Sequence, residues 1–276
     1  MPDNTNYPFM KNMNMQVAKN VNEAPPNNFS GYPAVNTTFP PYPTTIDKKT
    51  TGKKSGKAAP RLRLSASQTA EARRLQMQCR QLCASVFLEE RTAVRSLGFT
   101  SAIDGEGKSF LARLAALVMA MDNNIPVTLL ECDWAHPCFN DIFDLEQGPG
   151  LAEWLRGECE LEAIRQPVRG NLTVIRAGDA KQDTIRLLQQ LRNRGVLDVL
   201  KCPDEILIVD LPSIVTTAYG SLAASIVESL VLVLCMGVTS DSHVADAFAH
   251  LKGLHVHGVI LNQVKSRMPR WLRQIL

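Results

Sequence analysis

The chain has 276 residues, 45% of them hydrophobic, with 30 basic and 27 acidic side chains and a formal net charge of +3. No apolar run approaches the length of a membrane span, which excludes a spanning helix, and a single three-layer core is within reach of the length. The seven cysteines are scattered without a C-x-x-C pair, so reduced thiols are expected rather than a disulfide framework or zinc site.

Residues 1–60 hold nine of the sixteen prolines, nine asparagines and seven lysines against three acids. No apolar period runs through them, and the stretch is expected to be a disordered tail ending in a Lys-rich linker around Lys48, Lys49, Lys53, Lys54 and Lys57. Its charge of +4 leaves −1 for the remainder, so the basic balance belongs to the tail. Two readings stand for it: a solvating linker, or an arm for acidic lipid or nucleic acid. Nothing in the chain points clearly to nucleic acid. Met1 to Met15 lacks the apolar core of a signal peptide, and a soluble cytoplasmic protein is expected.

A nucleotide-binding domain is expected over 61–276. Ser67 to about Glu89 reads as a helix, with Leu75, Leu82, Val86 and Phe87 as its apolar set. Cys79 and Cys83 share one face there, but no nearby His or Cys completes a metal site. Strands are predicted near 94–101, 126–131, 172–177, 205–210, 229–236 and 257–262. Helices are predicted at 109–121, 151–156, 182–194, 217–227 and 241–253. The strands are continuous Val/Ile/Leu runs, as a parallel sheet covered on both faces requires, and they alternate with helices. The fold class expected is α/β, a doubly wound and mostly parallel sheet of the P-loop NTPase kind.

The chemistry gathers at the first strand. Ser101-Ala102-Ile103-Asp104-Gly105-Glu106-Gly107-Lys108-Ser109 lies between an apolar strand and an apolar helix. Gly105 and Gly107 allow backbone N–H groups to converge on phosphate oxygens, and the helix start adds its positive dipole end. Lys108 is placed to reach outer phosphates, and the Ser109 hydroxyl to join a Mg²⁺ coordination sphere. Asp104, Glu106 and Phe110 complete the expected nucleotide contacts. Strand C-termini share one crevice in such a sheet, so Glu131 and Asp133 after the second strand, and Asp210 after another, face the same place. The expected metal ligands are Ser109, Asp133 and Asp210, and Asp133 is the best candidate to accept a proton or orient a nucleophile. None of the five histidines reads as a general base.

With these residues in view, the chain resembles the bacterial tyrosine kinases of capsule and exopolysaccharide systems (the CpsD/CapB type), relatives of the MinD/ParA P-loop ATPases. The likeness runs from about Ser65 to Val264. It is most specific from Gly98 to Gly157, through the Walker A loop, Glu131-Cys132-Asp133 with Pro137, and Gly150-Leu151-Ala152-Glu153-Trp154-Leu155-Arg156-Gly157. Ile208-Val209-Asp210-Leu211-Pro212 stands at Walker B, and Gly258-Val259-Ile260-Leu261-Asn262 at the strand whose Asn contacts the base in relatives. For Asn262 the alternative is a turn residue closing a strand.

The resemblance implies ATP with Mg²⁺ and regulation of polysaccharide synthesis or export. It further implies a membrane-bound co-polymerase or adaptor partner, a position at the inner face of the membrane through that partner, and homo-oligomers. Departures are also plain. Glu131 replaces the usual Asp, Ala135 the usual Arg, Ala218-Tyr219 the usual Thr-Asp and Cys235 the usual Arg; Glu71 and Arg74 of the ring motif remain, with Met77 in its last place. No Tyr follows Tyr219, so a weak ATPase is expected in place of tyrosine autophosphorylation. Two other readings stay open: a ParA/MinD-type positioning ATPase, and a non-catalytic nucleotide sensor. Ile103 and Asp104, where ParA/MinD proteins carry a signature lysine, argue against the first of these. The basic, apolar stretch Met268 to Leu276, like an interfacial anchor, pulls back toward it; the alternative for that stretch is a terminal helix docked on the domain.

Overall fold

The computed structural model describes residues 66–87, 94–122 and 125–263. The expected tail, the Lys-rich linker, the stretch from Met268 to Leu276 and Tyr7, Tyr32 and Tyr42 lie outside the described residues, as does the side chain of Glu71.

Seven strands form one sheet in the order β3-β4-β2-β5-β1-β6-β7. They are β1 (Ser96–Ser101), β2 (Val127–Glu131), β3 (Gln166–Arg169), β4 (Leu172–Ile175), β5 (Ile206–Asp210), β6 (Ser229–Cys235) and β7 (Val256–Asn262). All neighbours pair in parallel except β3, which runs antiparallel to β4 at the edge. The expected parallel, doubly wound sheet is present. β3 is a strand that the sequence reading lacked. It is four residues long, carries Pro167 and has no buried face, which an edge tolerates and an interior strand does not.

Alternate side chains of the parallel strands enter separate cores. Leu97, Phe99, Val127, Leu129, Ile206 and Ile208 pack beneath α1 (Ala66–Phe87) and α2 (Lys108–Asp122). Cys79 and Cys83 of α1 belong to this core, and burial pushes the Cys79 thiol up to about 12. Leu130, Leu207, Val209, Leu230 and Leu232 face the opposite layer, with α4 (Leu151–Leu155), α6 (Thr184–Arg194), α7 (Gly220–Ala224) and α8 (Asp241–His250) around them. Two short helices were not expected: α3 (Phe139–Phe143) and α5 (Leu161–Ile164). Helix α7 is shorter than the predicted 217–227, because a Ser/Thr loop occupies the stretch before Gly220.

Every parallel strand ends on one side of the sheet. The loop between β1 and α2 lies there, with the ends of β2 and β5 on one flank and those of β6 and β7 on the other.

Candidate functional site

The loop after β1 turns through two glycines with left-handed backbones, Gly105 at φ 82° and Gly107 at φ 94°. A Cβ on Gly107 would strike the amide of Asn262, so the position needs glycine on two grounds. Lys108 opens α2 and is buried with its ammonium among acids. Nζ donates to Asp133 Oδ2 at 2.6 Å and stands 3.6 Å from Asp210 Oδ1 and 3.4 Å from Ser109 Oγ. Lys108, Ser109, Asp133 and Asp210, four residues singled out in the sequence, therefore converge.

Asp133 and Asp210 stand at strand ends yet are also buried. Asp133 Oδ1 additionally accepts the N–H groups of Ala135 and His136 at 3.2 Å. Asp210 is different: neither of its oxygens has a hydrogen-bond partner. The Ser109 hydroxyl is near enough to temper this acid without meeting the geometry of a bond. Burial raises the Asp210 pKa, and Asp133 adds to this, while the Lys108 charge and Ser109 oppose it. For Lys108 burial works against the charged form, but Asp210 and Asp133 outweigh it and the net direction is upward.

Three residues expected at the site make structural hydrogen bonds. Glu131 is expected to face the same crevice as Asp133 and Asp210. Its Oε1 instead accepts the N–H groups of Cys138 (2.5 Å) and Phe139 (2.9 Å) at the start of α3, and its Oε2 that of Ala177 at 3.0 Å. Those three donors oppose the burial that raises its pKa, and they make it a brace between β2, α3 and the end of β4. The longer side chain suits that reach. Glu106 is fully buried. Its Oε2 accepts Ile103 N–H at 2.8 Å and its Oε1 accepts Cys235 N–H at 3.0 Å and the Thr239 hydroxyl. Asn262, expected at the base, is also buried. Its amide donates to the Glu106 carbonyl at 2.8 Å, and its Oδ1 accepts Gln263 N–H at 2.9 Å. Both residues hold the glycine loop from the β6–β7 side.

Asp104 and Phe110 are partly open. The Arg113 guanidinium lies 5.8 Å from the Phe110 ring centroid. Asp104 Oδ1 accepts the Ser213 hydroxyl at 2.7 Å, and its Oδ2 that of Thr216 at 3.2 Å; Ser213 also meets Thr217 at 2.9 Å. This hydroxyl cluster was missed, although the run Pro212-Ser213 to Thr216-Thr217 after Asp210 carried the signal. His136 was set aside in the sequence, yet its Nδ1 lies 3.8 Å from Asp133 Oδ2 and 4.0 Å from Asp104 Oδ1. Burial raises the Tyr219 pKa, with the Asp133 and Asp104 charges adding to it and the Lys108 charge opposing them. Among the described residues no group of three or more His, Cys, Asp or Glu side chains is set to hold a metal by itself. No described helix is long and apolar enough to cross a membrane.

No family model matches the chain. By sequence it is 26% identical over 174 residues to the tyrosine-protein kinase CpsD of Streptococcus agalactiae, covering 62% of this chain and 76% of that protein. By structure it is like the kinase domain of the Escherichia coli tyrosine kinase ETK, with a TM-score of 0.63 and 25% identity, covering 74% of this chain and 78% of that one. The septum site-determining protein MinD of Pyrococcus horikoshii, solved with Mg-ADP, has the same fold at a TM-score of 0.50 and 20% identity, over 66% of this chain and 76% of that one. The chain is thus a homologue of bacterial tyrosine kinases, with the P-loop fold that they share with MinD and ParA proteins.

Proposed function

We propose that this chain is a Mg-ATP-binding, kinase-like P-loop protein that regulates capsule or exopolysaccharide synthesis or export alongside a membrane-bound partner. One observation carries the reading. A fully buried carboxylate, Asp210, has neither oxygen bonded, and it stands 3.6 Å from a lysine at the root of a glycine loop. A buried acid without a hydrogen bond costs stability, and such arrangements are kept where a ligand completes them. The donor set fits a hard cation with a phosphate: hydroxyl and carboxylate oxygens from Ser109, Asp210 and Asp133, backed by one buried ammonium.

Magnesium would supply charge neutralisation for the phosphates when bound. The chain's own residues do the rest. Lys108 offsets phosphate charge, the glycine loop presents N–H groups, and Asp210 and Ser109 would hold the metal. Asp133, close to both Lys108 and His136, orients the nucleophile or takes its proton. Glu131, Glu106 and Asn262 keep that geometry fixed.

Kinase relatives support phosphoryl transfer, whereas Ala135, Ala218 and Cys235 remove side chains that those relatives use. We therefore assign a weak regulatory ATPase activity. Incubation with labelled ATP and Mg²⁺, scored separately for free phosphate and for phosphorylated protein, tests this. Slow release of free phosphate without labelled protein is expected. Phosphotyrosine that vanishes in Lys108→Ala would restore a tyrosine kinase. Absence of any Mg-nucleotide binding at millimolar concentration would discard the assignment.

A further inference from the structure

On the sheet face opposite α1 and α2, a cavity of about 240 Å³ opens between the turn after α4 and the start of α6. Arg156, Glu158, Asp183, Arg186, Leu187 and Gln190 line it, and it shares no residue with the phosphate site. One wall is already engaged within the chain. Arg156 Nε donates to Glu158 Oε1 at 2.6 Å, Nη1 to the Asp179 carbonyl at 2.7 Å, and Nη2 to Glu158 Oε2 at 3.1 Å and Glu153 Oε1 at 3.2 Å. The other wall is not. Asp183 stands at the N-cap of α6, but its carboxylate makes no capping bond. Arg186 is exposed and, among the described residues, has neither a hydrogen bond nor an ion pair. Gln190 Oε1 is buried without a partner, which a chain with no ligand there has no reason to keep. These three residues recur at helical spacing on one face of α6 over about 10 Å, with Leu187 as an apolar floor between them. Lys181 and Gln182, which lead into Asp183, both have left-handed backbones, φ 46° and 67°. Two such non-glycine residues in succession cost energy and occur where a particular local shape is required.

We infer that this cavity is a second ligand site, and that it takes a small polyhydroxylated carboxylate, a uronic acid. Its volume lies below the roughly 300–1,000 Å³ of sites for drug-sized ligands, so the occupant is small, on the scale of one sugar ring. The planar fork of Arg186 matches a carboxylate with two parallel N–H donors. Asp183 and Gln190 Oε1 are acceptors, and ring hydroxyls donate to both. The spacing along α6 decides between ligands. The ammonium of an amino acid is a point charge that reaches one acceptor or the other, whereas hydroxyls spread round a ring reach both. The fixed Arg156–Glu158 pair closes the far side and leaves the charge preference to Arg186. The site goes beyond the nucleotide reading and is independent of it.

Calorimetric titration of the full chain with D-glucuronate, D-glucose and L-alanine tests the inference on wild type, Arg186→Gln and Gln190→Leu. Arg186 is exposed, and Gln190→Leu removes an unbonded buried oxygen, so both variants are expected to melt no lower than wild type. Wild type should bind D-glucuronate about tenfold more tightly than D-glucose, and Arg186→Gln should lose that margin through the missing charge-assisted pair. Gln190→Leu should weaken both sugars alike, and L-alanine should not bind. Saturating Mg-ATP should leave the affinity for D-glucuronate unchanged. No binding of D-glucuronate by wild type at tens of millimolar, unchanged affinity in Arg186→Gln, or competition by Mg-ATP would overturn the site. L-alanine bound as tightly as D-glucuronate would overturn the sugar-acid assignment. Binding of Mg-ATP is titrated separately, so failure here leaves the phosphate site standing.

Discussion

On the β6–β7 flank of the glycine loop the buried polar side chains are closed on backbone partners: Glu106 takes two N–H groups and a hydroxyl, and Asn262 reaches the Glu106 carbonyl. On the β2–β5 flank Lys108 serves two acids, and Asp210 keeps both oxygens unbonded in the interior. The difference separates architecture from function. A satisfied network stabilises the fold and fixes a backbone, whereas an unsatisfied buried charge is a standing cost that a ligand relieves. Substitutions on the two flanks should therefore move stability and activity in different ways.

The largest effect on stability is expected on the satisfied flank. Glu106→Ala strips the acceptor from Ile103, Cys235 and Thr239 together, and should cost about 2–4 kcal/mol in denaturant unfolding, since each orphaned buried donor is penalised. Retention of wild-type stability would show that the loop is not held from this side. On the other flank, Asp133→Asn should lower hydrolysis by about a hundredfold or more while the chain still folds, as expected for loss of a positioned base. Steady-state phosphate release decides this, and unchanged turnover would take Asp133 out of the mechanism.

Asp210→Asn should have a smaller effect on stability, and one of opposite sign. Because burial raises the Asp210 pKa, the folded chain holds that proton more tightly than the unfolded one. The stabilisation by protonation is present at low pH and is lost as pH rises from the ordinary carboxylate range through the folded pKa. At neutral pH the variant should then be more stable than wild type by about 1–2 kcal/mol without ligand, yet lack hydrolysis. Melting curves from pH 4 to 8 read this directly, and a less stable variant at neutral pH would contradict it. Ser213→Ala, which removes one hydroxyl from partly exposed Asp104, should cost only about 0.5–1 kcal/mol in the same melts. A larger loss would make the hydroxyl cluster a structural element in its own right.

Local signals in the chain carried much of the fold and part of the site. Strand runs such as Ile206 to Val209, broken by Asp210, and a glycine loop between a strand and a helix announce themselves within a few residues. The rest depended on partners that arrive from far away. Glu131 looked like a second site acid because nothing near it in sequence reveals that Ala177 N–H will meet it. Nothing near Asn262 in sequence reveals that its amide also reaches the Glu106 carbonyl, 156 positions earlier. Strand β3 was hidden because Pro167 and exposed neighbours give no apolar period; only the free edge of β4 makes it a strand.

Isothermal titration of the whole chain with Mg-ATP, repeated on Lys108→Ala, tests most directly whether the β2–β5 flank is a phosphate site. Saturable binding by wild type, weakened about a hundredfold or more when the buried ammonium is removed, is the result expected from loss of a charge-assisted contact. Equal affinity in wild type and variant, or none in either at millimolar nucleotide, would contradict it.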